Sequence, residues 1–279
     1  MTNLLFCGND RVFDGALTCM LSAVRRTTSR DPFRVYLFTM DGTHIKPEYR
    51  PISARQAAFL QETLRDYHPD SLVRLCDVTD LYRAEFAGCP NEGAYCSPYT
   101  LLRLLSDLVP GIPDKLLYLD ADILFNRDMH LLYDIDVSDV EYAAARDHYG
   151  KYLVNPNYVN AGVLLFNMAM VRKTGLLVRA REWIRRKKLL FADQSALIRS
   201  TTARKMLPQK FNDQKFLHKG TVVRHFSKRL FYLPYPHTDN IKQWEVERVH
   251  RVFRYHQFDD IFDEYLRRKE AFAKEESEQ

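Results

Sequence analysis

Short apolar runs alternate along the chain with longer segments whose apolar residues recur every three or four positions. The runs at residues 4–7, 33–38 and 72–75 have the length and composition of buried β-strands. Residues 12–26 and 53–66, which lie between those runs, have the apolar spacing of amphipathic helices. This alternation predicts an α/β fold with a largely parallel sheet.

The same pattern continues beyond residue 98. Residues 99–108 are predicted to form a helix, and further strand candidates lie at residues 116–119, 142–145, 163–166 and 222–226. Right-handed crossovers bring the carboxyl ends of parallel strands to one edge of such a sheet, and open α/β sheets bind their ligands at that edge. Polar side chains that directly follow a predicted strand are therefore the first candidates for a binding site.

Two carboxylates stand two residues apart at the end of the strand predicted at residues 116–119. In extended backbone, residues i and i+2 point to the same face, so Asp120 and Asp122 can present their oxygens together. Two like charges this close repel each other unless a positive charge lies between them. Mg²⁺ and Mn²⁺ favour carboxylate oxygens and often share their shell with substrate phosphates. The pair therefore predicts a metal site that handles a phosphate compound, although an Asp-x-Asp pair can also simply belong to a turn.

The pattern of apolar and polar residues changes at about residue 234. Beyond it, one long helical pattern runs over residues 243–273, with apolar and aromatic side chains mixed with arginines. We expect a main domain at residues 1–233 and a C-terminal helical region at residues 234–279. The apolar stripe favours packing of this region on the main domain. The alternative is a basic and aromatic face that lies on a membrane.

Composition narrows the choice of partners. The 279 residues suit one large α/β domain or one domain with an appendage, and 46% hydrophobic residues are enough for a sizeable core. Lysine and arginine total 41 against 36 aspartate and glutamate residues, a formal net charge of +5. This mild basicity suits phosphate-bearing substrates, and the arrangement of the charges matches no nucleic-acid-binding module.

Cysteine usage and hydropathy indicate the compartment. Five cysteines lie in the first hundred residues without a C-x-x-C pair, which indicates neither a disulfide framework nor zinc and favours reduced thiols in the cytosol. No signal peptide is predicted, and the longest nearly apolar stretch, residues 161–171, is too short to span a bilayer. We therefore expect a cytoplasmic protein that is soluble or attached peripherally to the inner face of the membrane.

Six features follow one another along the chain. They are Arg103 in Tyr-Thr-Leu-Leu-Arg, the Asp-x-Asp pair, Asp147 after an alanine run, residues 160–167, the pair Asp193-Gln194, and His225 in Val-Arg-His-Phe. This ordered set resembles the retaining glycosyltransferase family 8, and the spacings from Arg103 to Asp120 and from Asp120 to Asp147 match as well. The family includes glycogenin, plant galactinol synthase and the bacterial galactosyl- and glucosyltransferases that build lipooligosaccharide cores. The resemblance covers roughly residues 3–245.

The resemblance implies a Rossmann-like nucleotide-binding fold of the GT-A type for residues 1–233. It implies a UDP-sugar donor and a divalent metal, usually Mn²⁺ with Mg²⁺ as an option, held by Asp120, Asp122 and His225. Carboxylates with an imidazole suit manganese better than calcium, which prefers oxygen alone. The implied activity is transfer of a hexose, glucose or galactose, to a saccharide or glycolipid acceptor, as in lipopolysaccharide biosynthesis.

The resemblance also assigns the contacts to the donor. The residues that would hold the UDP-sugar are Cys7, Gly8, Asn9, Val12, Arg103, Asp120, Ala121, Asp122, Asn160, Ala161 and Lys242. The chain departs from the family pattern at the N-terminal turn, because Val12 stands where an aromatic ring commonly stacks on uracil and Phe13 comes one residue late. It departs again after His225, where the usual Gly-x-x-Lys-Pro-Trp is absent.

The lysine that contacts the diphosphate in the family has more than one candidate here. The segment Asn-Ile-Lys-Gln-Trp at residues 240–244 looks like the usual Lys-Pro-Trp displaced by an insertion, with Gln in place of Pro. It makes Lys242 the preferred candidate. Lys228 and Arg229, which follow His225 more closely, are the alternatives.

Asp147, Asp193 and Gln194 are the candidates for catalysis at the sugar. Anomeric retention can proceed through a glycosyl-enzyme intermediate or by substitution on the same face of the sugar within an ion pair. A neutral amide oxygen is a poor nucleophile, so we expect same-face substitution. Gln194 would stabilise the developing cation and Asp193 would bond a sugar hydroxyl. Asp193 could instead have a purely structural role as the N-cap of the helix predicted to begin there.

Two other functions are compatible with parts of the sequence. A nucleotide-sugar-binding protein without turnover would account for both departures from the family pattern. A phosphatase of the aspartyl-phosphate type also places Asp-x-Asp after a strand. Its motif normally lies near the N-terminus and has Thr or Val where this chain has Leu124, which makes it the weaker alternative.

Overall fold

A seven-stranded sheet with helices on both faces forms the body of the protein, which we describe from a computed structural model. The structure describes residues 1–93, 97–233 and 235–277. Its strands are β1 (Thr2–Cys7), β2 (Phe33–Thr39), β3 (Leu72–Asp77), β4 (Lys115–Leu119), β5 (Ile123–Phe125), β6 (Tyr142–Ala145), β7 (Val163–Asn167), β8 (Arg204–Leu207), β9 (Val223–His225), β10 (Arg229–Phe231) and β11 (His237–Asp239). The order in the central sheet is β3-β2-β1-β4-β7-β6-β8, while β5 pairs with β9 and β10 with β11.

The helices connect these strands. They are α1 (Phe13–Arg26), α2 (Ala54–Arg65), α3 (Thr79–Phe86), α4 (His130–Tyr133), α5 (Gly150–Leu153), α6 (Met168–Thr174), α7 (Leu176–Arg186), α8 (Ala192–Ser200), α9 (Val246–Arg248) and α10 (Asp259–Ser277). Segments Asp10–Val12, Pro98–Leu105 and Gln209–Phe211 form 3-10 helices, and Val249–Phe253 forms a π-helix. Buried apolar side chains pack as two layers, one on each face of the central sheet.

The expected α/β fold with a mostly parallel sheet is confirmed. Strands β3, β2, β1 and β4 are mutually parallel, and so are β6 and β8. Strand β7 alone in the central sheet runs antiparallel to both of its neighbours, β4 and β6, in the part of the chain that the structure describes. Because β7 runs the other way, the residues just before it lie at the same edge of the sheet as the residues that follow β4 and β6.

The topology gathers the predicted site residues at one edge of the sheet. Strand β4 lies parallel to β1, so Cys7 and Asp120 stand at the carboxyl ends of adjacent strands. Because β7 runs the other way, Gly162 precedes it at the same edge, and the backbone N–H of Asp120 donates to the carbonyl of Gly162 at 2.8 Å. Strand β6 ends at this edge too, and Asp147 follows it.

The helix predicted at residues 99–108 is a 3-10 helix that ends at Leu105. Two side chains bind backbone carbonyls within it. Arg103 Nε donates to the carbonyl of Thr100 at 2.9 Å, and Ser106 Oγ donates to the carbonyl of Arg103 at 2.7 Å. Side-chain bonds to carbonyls three residues back compete with the α-helical ladder and favour the tighter turn.

The C-terminal region does not form the single long helix predicted for residues 243–273. Arg254 has a φ of +56°, in the left-handed region, and separates the π-helix from α10. Val249 and Phe258, which lie on either side of this break, are both fully buried in the same core. A straight helix would not place both segments there, so packing overrides the helical periodicity.

Helix α10 packs on the main domain through its apolar stripe. Ile261, Phe262 and Tyr265 are buried in the core that also contains α1. The ring of Phe272 lies 4.6 Å, centroid to centroid, from that of Phe13. The predicted boundary between residues 233 and 234 falls at a residue outside the described ranges. In the described part of the chain, no helix combines the length and the apolar character needed to cross a bilayer.

The cysteines that the structure describes carry free thiols: Cys7, Cys19, Cys76 and Cys89. The fifth, Cys96, lies outside the described residues.

Asp260 offers a test of how α10 is held. Hydrogen bonds from Arg26, with Arg25 adding to them, lower the pKa of Asp260 to about 2. An unfolded chain has an aspartate pKa of about 3.9, so this carboxylate stabilises the fold above about pH 4, and the contribution is lost as the pH falls toward about 2. Partial exposure limits it to about 1 kcal/mol. We expect Asp260→Asn to lower the free energy of unfolding in urea by that amount at neutral pH.

The pH dependence separates this account from a general packing defect. The difference between wild type and Asp260→Asn should shrink below about pH 4. Asp263→Asn, which changes an exposed carboxylate of the same helix, should show little difference at any pH. A difference for Asp260→Asn that stays constant down to about pH 3 would contradict the assignment.

Candidate functional site

Asp120, Asp122 and His225 converge at this edge of the sheet. The Nε2 atom of His225 lies 3.0 Å from Oδ1 of Asp122 and 3.8 Å from Oδ2 of Asp120. One ligand atom from each residue lies within 4.8 Å of the others. The side chain of His225 is 4% exposed and that of Asp120 is 30% exposed, so the carboxylates form the open side of the group. Two carboxylates and an imidazole are a donor set that suits Mn²⁺.

A short two-stranded ribbon, β5 with β9, brings the imidazole to the carboxylates. Strand β5 pairs antiparallel with β9, and Ile123 stands opposite His225. The backbone N–H of Phe226 donates to the carbonyl of Asp122 at 2.7 Å. The carboxylates are therefore not presented by extended backbone, as the i, i+2 argument expected, because the chain bends between β4 and β5. The β5–β9 pairing fixes their position instead.

The second nitrogen of the imidazole is held by a chain of amides. His225 Nδ1 lies 3.0 Å from Oδ1 of Asn212. An amide oxygen only accepts, so Nδ1 carries a proton, and Nε2 is the ring nitrogen that could offer a lone pair to a metal. Asn212 Nδ2 donates to Oδ1 of Asn160 at 2.9 Å, and Asn160 Nδ2 donates to Oδ2 of Asp147 at 2.8 Å. Such outer hydrogen bonds fix the ring orientation of metal-binding histidines.

Gly162 leaves the space that these groups occupy. A Cβ atom at this position would lie 2.4 Å from Cε1 of His225 and 2.6 Å from Oδ2 of Asp120. Both distances are shorter than real carbon contacts, and close-packed interiors tolerate little displacement. Any side chain here would push one of the candidate metal ligands away. The glycine is thus required by the site rather than by a turn.

A buried arginine lies beneath the carboxylates. Arg103 Nη2 donates to Oδ1 of Asp120 at 3.1 Å, and the guanidinium carbon lies 3.9 Å from the centroid of the Tyr118 ring. Tyr118 donates its hydroxyl to the same Asp120 oxygen at 2.5 Å. Arg103 also donates to the carbonyl of Ala161, and its Nε lies 3.4 Å from Oδ2 of Asp193. One guanidinium therefore ties three predicted site segments together.

Lys242 approaches Asp122 from the other side. Its ammonium donates to Oδ2 of Asp122 and to the carbonyl of Phe226, the latter at 3.3 Å. Burial alone would raise the pKa of Asp122, but Lys242 and His225 outweigh it and hold that pKa well below its usual value. Asp122 is therefore an anion throughout the physiological range.

The residue after Lys242 anchors it to the motif. Gln243 is fully buried, and its Nε2 donates to the carbonyl of Ala121 at 2.7 Å and to Oγ1 of Thr18 at 3.0 Å. A proline, which the family pattern has at this position, could not make either bond. The substitution of Gln for Pro is thus accommodated by direct bonds to the Asp-x-Asp backbone and to α1.

A cavity of about 310 Å³, which we call the Cys7 cavity, opens in front of the carboxylates. It is lined by Cys7, Gly8, Asn9, Val12, Ser97, Tyr99, Thr100, Tyr118, Asp120, Ala121, Asp122, Lys242 and Trp244. Eight of the eleven residues predicted to hold the donor are in this lining. Burial raises the pKa of the Cys7 thiol, so this side chain adds no negative charge to the cavity.

A second cavity of about 450 Å³, the Gln194 cavity, adjoins the amide chain behind His225. It is lined by Asp147, Tyr149, Leu153, Asn160, Phe191, Gln194, Gln214, Ser227, Lys228, Arg229, Leu230 and Thr238. Lys228 and Arg229 thus line a different cavity from the Asp-x-Asp pair. Of the three candidates for the diphosphate contact, Lys242 is the one that the structure places at Asp122.

Three predicted residues lie beneath the cavities rather than in their walls. Arg103, Ala161 and Asp193 are all buried. The backbone N–H of Ala161 donates to Oε1 of Gln194 at 3.0 Å, which fixes the amide of Gln194 at the cavity wall. Asp193 lies in the first turn of α8, whose N-cap residue is Phe191, so the interpretation of Asp193 as the cap is wrong. Burial raises the pKa of Asp193, and Arg103 opposes that shift.

The aromatic residues of the Cys7 cavity differ from those considered in the sequence. Phe13 is buried in the core against α10, whereas Val12 lines the cavity as its alignment suggested. Tyr99, Tyr118 and Trp244 supply the aromatic rings of the lining. Trp244 could have been predicted from the sequence, because it ends the segment that looks like Lys-Pro-Trp. Asn212 could not, since it lies in no motif and contacts His225 only in the folded chain.

The chain belongs to the family described as "Glycosyl transferase family 8", which matches residues 3–215. The resemblance inferred from the six ordered features is thereby confirmed. The central sheet and its helices form a GT-A fold, in agreement with the expectation from that resemblance.

Individual relatives are more distant. Glycosyltransferase GlyA of Streptococcus pneumoniae serotype 4 is 36% identical over 88 residues, which are 30% of this chain and 12% of that protein. The apo structure of the bifunctional glycosyltransferase WbbM is 17% identical with a TM-score of 0.68, over 96% of this chain and 51% of that one. The galactosyltransferase LgtC, solved with donor and acceptor sugar analogues, is 19% identical with a TM-score of 0.62, over 95% of each chain. This chain therefore spans only part of GlyA and of WbbM.

Asn212 allows a test of the candidate metal site that leaves its three candidate ligands unchanged. Asn212→Leu keeps the side-chain volume but removes the acceptor for His225 Nδ1, so the ring loses its fixed orientation. We expect Mn²⁺ affinity to fall about 10- to 100-fold, measured by isothermal titration calorimetry with UDP present. Asn157→Leu, which changes an exposed asparagine, is the matched control and should bind as the wild type does. Equal affinity in both variants would contradict the role of Asn212.

Proposed function

We propose that this protein is a retaining glycosyltransferase that moves a hexose, glucose or galactose, from a UDP-sugar to a glycan or glycolipid acceptor with the help of a divalent cation. Membership of glycosyl transferase family 8 supports glycosyl transfer in general. The observation that supports the finer proposal is the convergence of Asp120, Asp122 and His225 near two cavities.

The residues present fit a divalent cation. The three side chains offer two carboxylates and an imidazole lone pair, and Gly162 keeps the space between them clear. Mn²⁺, or Mg²⁺ as an option, would there offset the negative charge that develops on the departing diphosphate. Asp120 and Asp122 contact the basic side chains of Arg103 and Lys242, and a divalent cation would add positive charge on the open side of the same carboxylates.

The Cys7 cavity suits the UDP moiety. Asn9 can bond an edge of the uracil ring, and backbone groups at Cys7 and Gly8 can do so whatever their side chains are. Val12 and Trp244 offer apolar surface to the flat base. Lys242 Nζ lies at the carboxylate end of the same cavity, where it can donate to the diphosphate. The cavity therefore matches a ligand that is flat and neutral at one end and doubly anionic at the other.

The donor sugar would lie between the two cavities. Asp147, Asn160 and Gln194 line the Gln194 cavity and are held in place by hydrogen bonds to neighbouring groups. Arg103 positions Asp193 and the Asp120 carboxylate from beneath. These polar side chains are suited to bind and orient sugar hydroxyls, which puts the anomeric carbon in the path of an acceptor.

Same-face substitution is the mechanism that these contacts favour. Gln194 is a neutral amide whose oxygen already accepts a bond from Ala161, which makes it a weak nucleophile but a suitable dipole beside a developing cation. Both oxygens of Asp147 accept hydrogen bonds, from the N–H of Gly150 at 2.6 Å and from Asn160 at 2.8 Å. A carboxylate held in this way is better placed to orient a hydroxyl than to attack carbon.

The Gln194 cavity would take the acceptor. Its lining combines polar groups with the aromatic and aliphatic side chains of Tyr149, Phe191 and Leu230, a mixture that suits the polar edges and apolar faces of a saccharide. Its volume of about 450 Å³ is enough for one or two sugar units. The cavity is therefore the proposed site of a glycan or glycolipid acceptor.

Donor hydrolysis tests this function without knowledge of the acceptor. With Mn²⁺ present, the wild type should release UDP slowly from UDP-glucose or UDP-galactose, and the faster donor identifies the hexose. Asp122→Asn should lower that rate about 100-fold or more, because it removes a ligand charge from the metal centre. Asp128→Asn, which changes a carboxylate bound to Thr28 outside both cavities, is the control and should hydrolyse donor normally. UDP release is measured with a coupled assay.

The alternative functions predict different results. Tight UDP-sugar binding without turnover, across donors and candidate acceptors, would favour a nucleotide-sugar-binding protein that lacks activity. A covalent phosphoaspartate at Asp120 would favour the phosphatase. Hydrolysis that is equal in wild type and Asp122→Asn would contradict the proposed metal site.

A further inference from the structure

Among the residues that the structure describes, the most exposed apolar side chains are confined to three short segments. In the described part of the chain, the six most exposed large hydrophobic residues are Tyr152 (77%), Leu153 (81%), Leu190 (73%), Tyr232 (64%), Leu233 (83%) and Tyr235 (67%). The next is Val154, at 51%, in the first of these segments. Scattered exposed leucines are ordinary on a protein surface, but a concentration of this kind marks an interaction surface.

The three segments meet around the Gln194 cavity. Leu153, Phe191 and Leu230, one from each segment, line that cavity. The backbone N–H of Leu230 donates to the hydroxyl of Tyr149 at 3.2 Å, which joins the first segment to the third. The exposed side chains thus form an apolar rim at the mouth of the proposed acceptor site. We call this surface the acceptor rim and define it by residues 149–154, 185–191, 227–233 and 235–238.

The acceptor rim is also strongly basic. Its three segments contain seven lysine and arginine residues and no aspartate or glutamate: Lys151, Arg185, Arg186, Lys187, Lys188, Lys228 and Arg229. Arg185 pairs with Glu85, which offsets one of these charges, while Arg186, Lys187 and Lys188 are exposed. Over the whole chain the excess of basic residues is only five. The positive charge is therefore concentrated on the face that also carries the exposed aromatic and aliphatic side chains.

We propose that the acceptor rim docks on the surface of an anionic bilayer, so that the enzyme takes its acceptor sugar from a lipid-linked glycan. Leucine and tyrosine side chains mixed with lysine and arginine are typical of surfaces that lie at the membrane interface. The basic residues provide charge complementarity to anionic headgroups, and the apolar side chains enter the headgroup boundary. The geometry places the mouth of the Gln194 cavity directly against the lipid surface.

This inference rests on the proposed function, since it names the class of acceptor. It differs from the expectation that the C-terminal helix lies on a membrane. The apolar stripe of α10, with Ile261, Phe262 and Tyr265, is buried against the main domain, and the acceptor rim lies instead on the three segments around the Gln194 cavity. The surface that faces the lipid is therefore the one that must receive the acceptor.

Vesicle flotation with the full chain tests the proposal. The wild type should float with phosphatidylcholine vesicles that contain phosphatidylglycerol, bind pure phosphatidylcholine vesicles much less, and detach as salt is raised. The variant Tyr152→Ser/Leu190→Ser/Leu233→Ser changes three rim side chains that are exposed and outside the cavity lining. We expect it to bind anionic vesicles at least about tenfold more weakly than the wild type.

A matched control separates the rim from general surface hydrophobicity. Leu131→Ser/Leu266→Ser removes leucines that are 45% and 48% exposed elsewhere on the surface and should leave vesicle binding unchanged. The charge variant Lys187→Glu/Lys188→Glu should weaken binding to anionic vesicles, whereas Lys173→Glu/Arg267→Glu, on exposed sites outside the rim, should weaken it far less. Circular dichroism establishes that each variant folds.

Three outcomes would overturn the proposal. The wild type could fail to float with anionic vesicles, or rim and control variants could bind equally. The rim could instead join two copies of the chain, in which case light scattering would show a dimer that the rim variant converts to a monomer. UDP binding, measured by thermal shift with Mn²⁺, distinguishes failure of this inference from failure of the proposed function, because it tests the Cys7 cavity. It should be the same in the wild type and the rim variant.

Discussion

The accumulation of negative charge at the end of β4 is the constraint on which the site depends. Asp120 and Asp122 follow a strand buried at the centre of the sheet, and such a pair is unstable without positive charge beside it. Arg103 supports Asp120 from beneath, and Lys242 binds Asp122 from the front. His225 completes the group with its imidazole Nε2, which lies 3.0 Å from Asp122. The remaining negative charge is what a divalent cation would balance.

Distant parts of the chain meet to satisfy this constraint. The ribbon of β5 with β9 delivers His225, and the reversed strand β7 delivers Gly162 beside it. The segment before α9 contributes Lys242 and the buried Gln243, so the C-terminal region takes part in the site as well as in the core. The amide chain from His225 to Asp147 then joins the proposed metal site to the Gln194 cavity. The proposed donor and acceptor sites thus share one wall.

Sequence reasoning succeeded where the determining interactions are local. The apolar runs predicted the strands of the sheet, and the resemblance carried by the ordered motifs named eight residues that line the Cys7 cavity, Lys242 among them. It failed where partners are distant in sequence. Asn212 meets His225 only through the fold, and the bend before β5 depends on pairing with a strand a hundred residues away. The break at Arg254 likewise reflects packing that a helical periodicity cannot reveal.

The most direct test of the central claim is anomalous diffraction from a crystal grown or soaked with UDP and Mn²⁺. We expect a manganese peak bound by Asp120, Asp122 and Nε2 of His225, with the diphosphate on its open side. We also expect the Lys242 ammonium to move from Asp122 toward the diphosphate. UDP bound in the Cys7 cavity without a manganese peak, and with the imidazole turned away from the carboxylates, would contradict it.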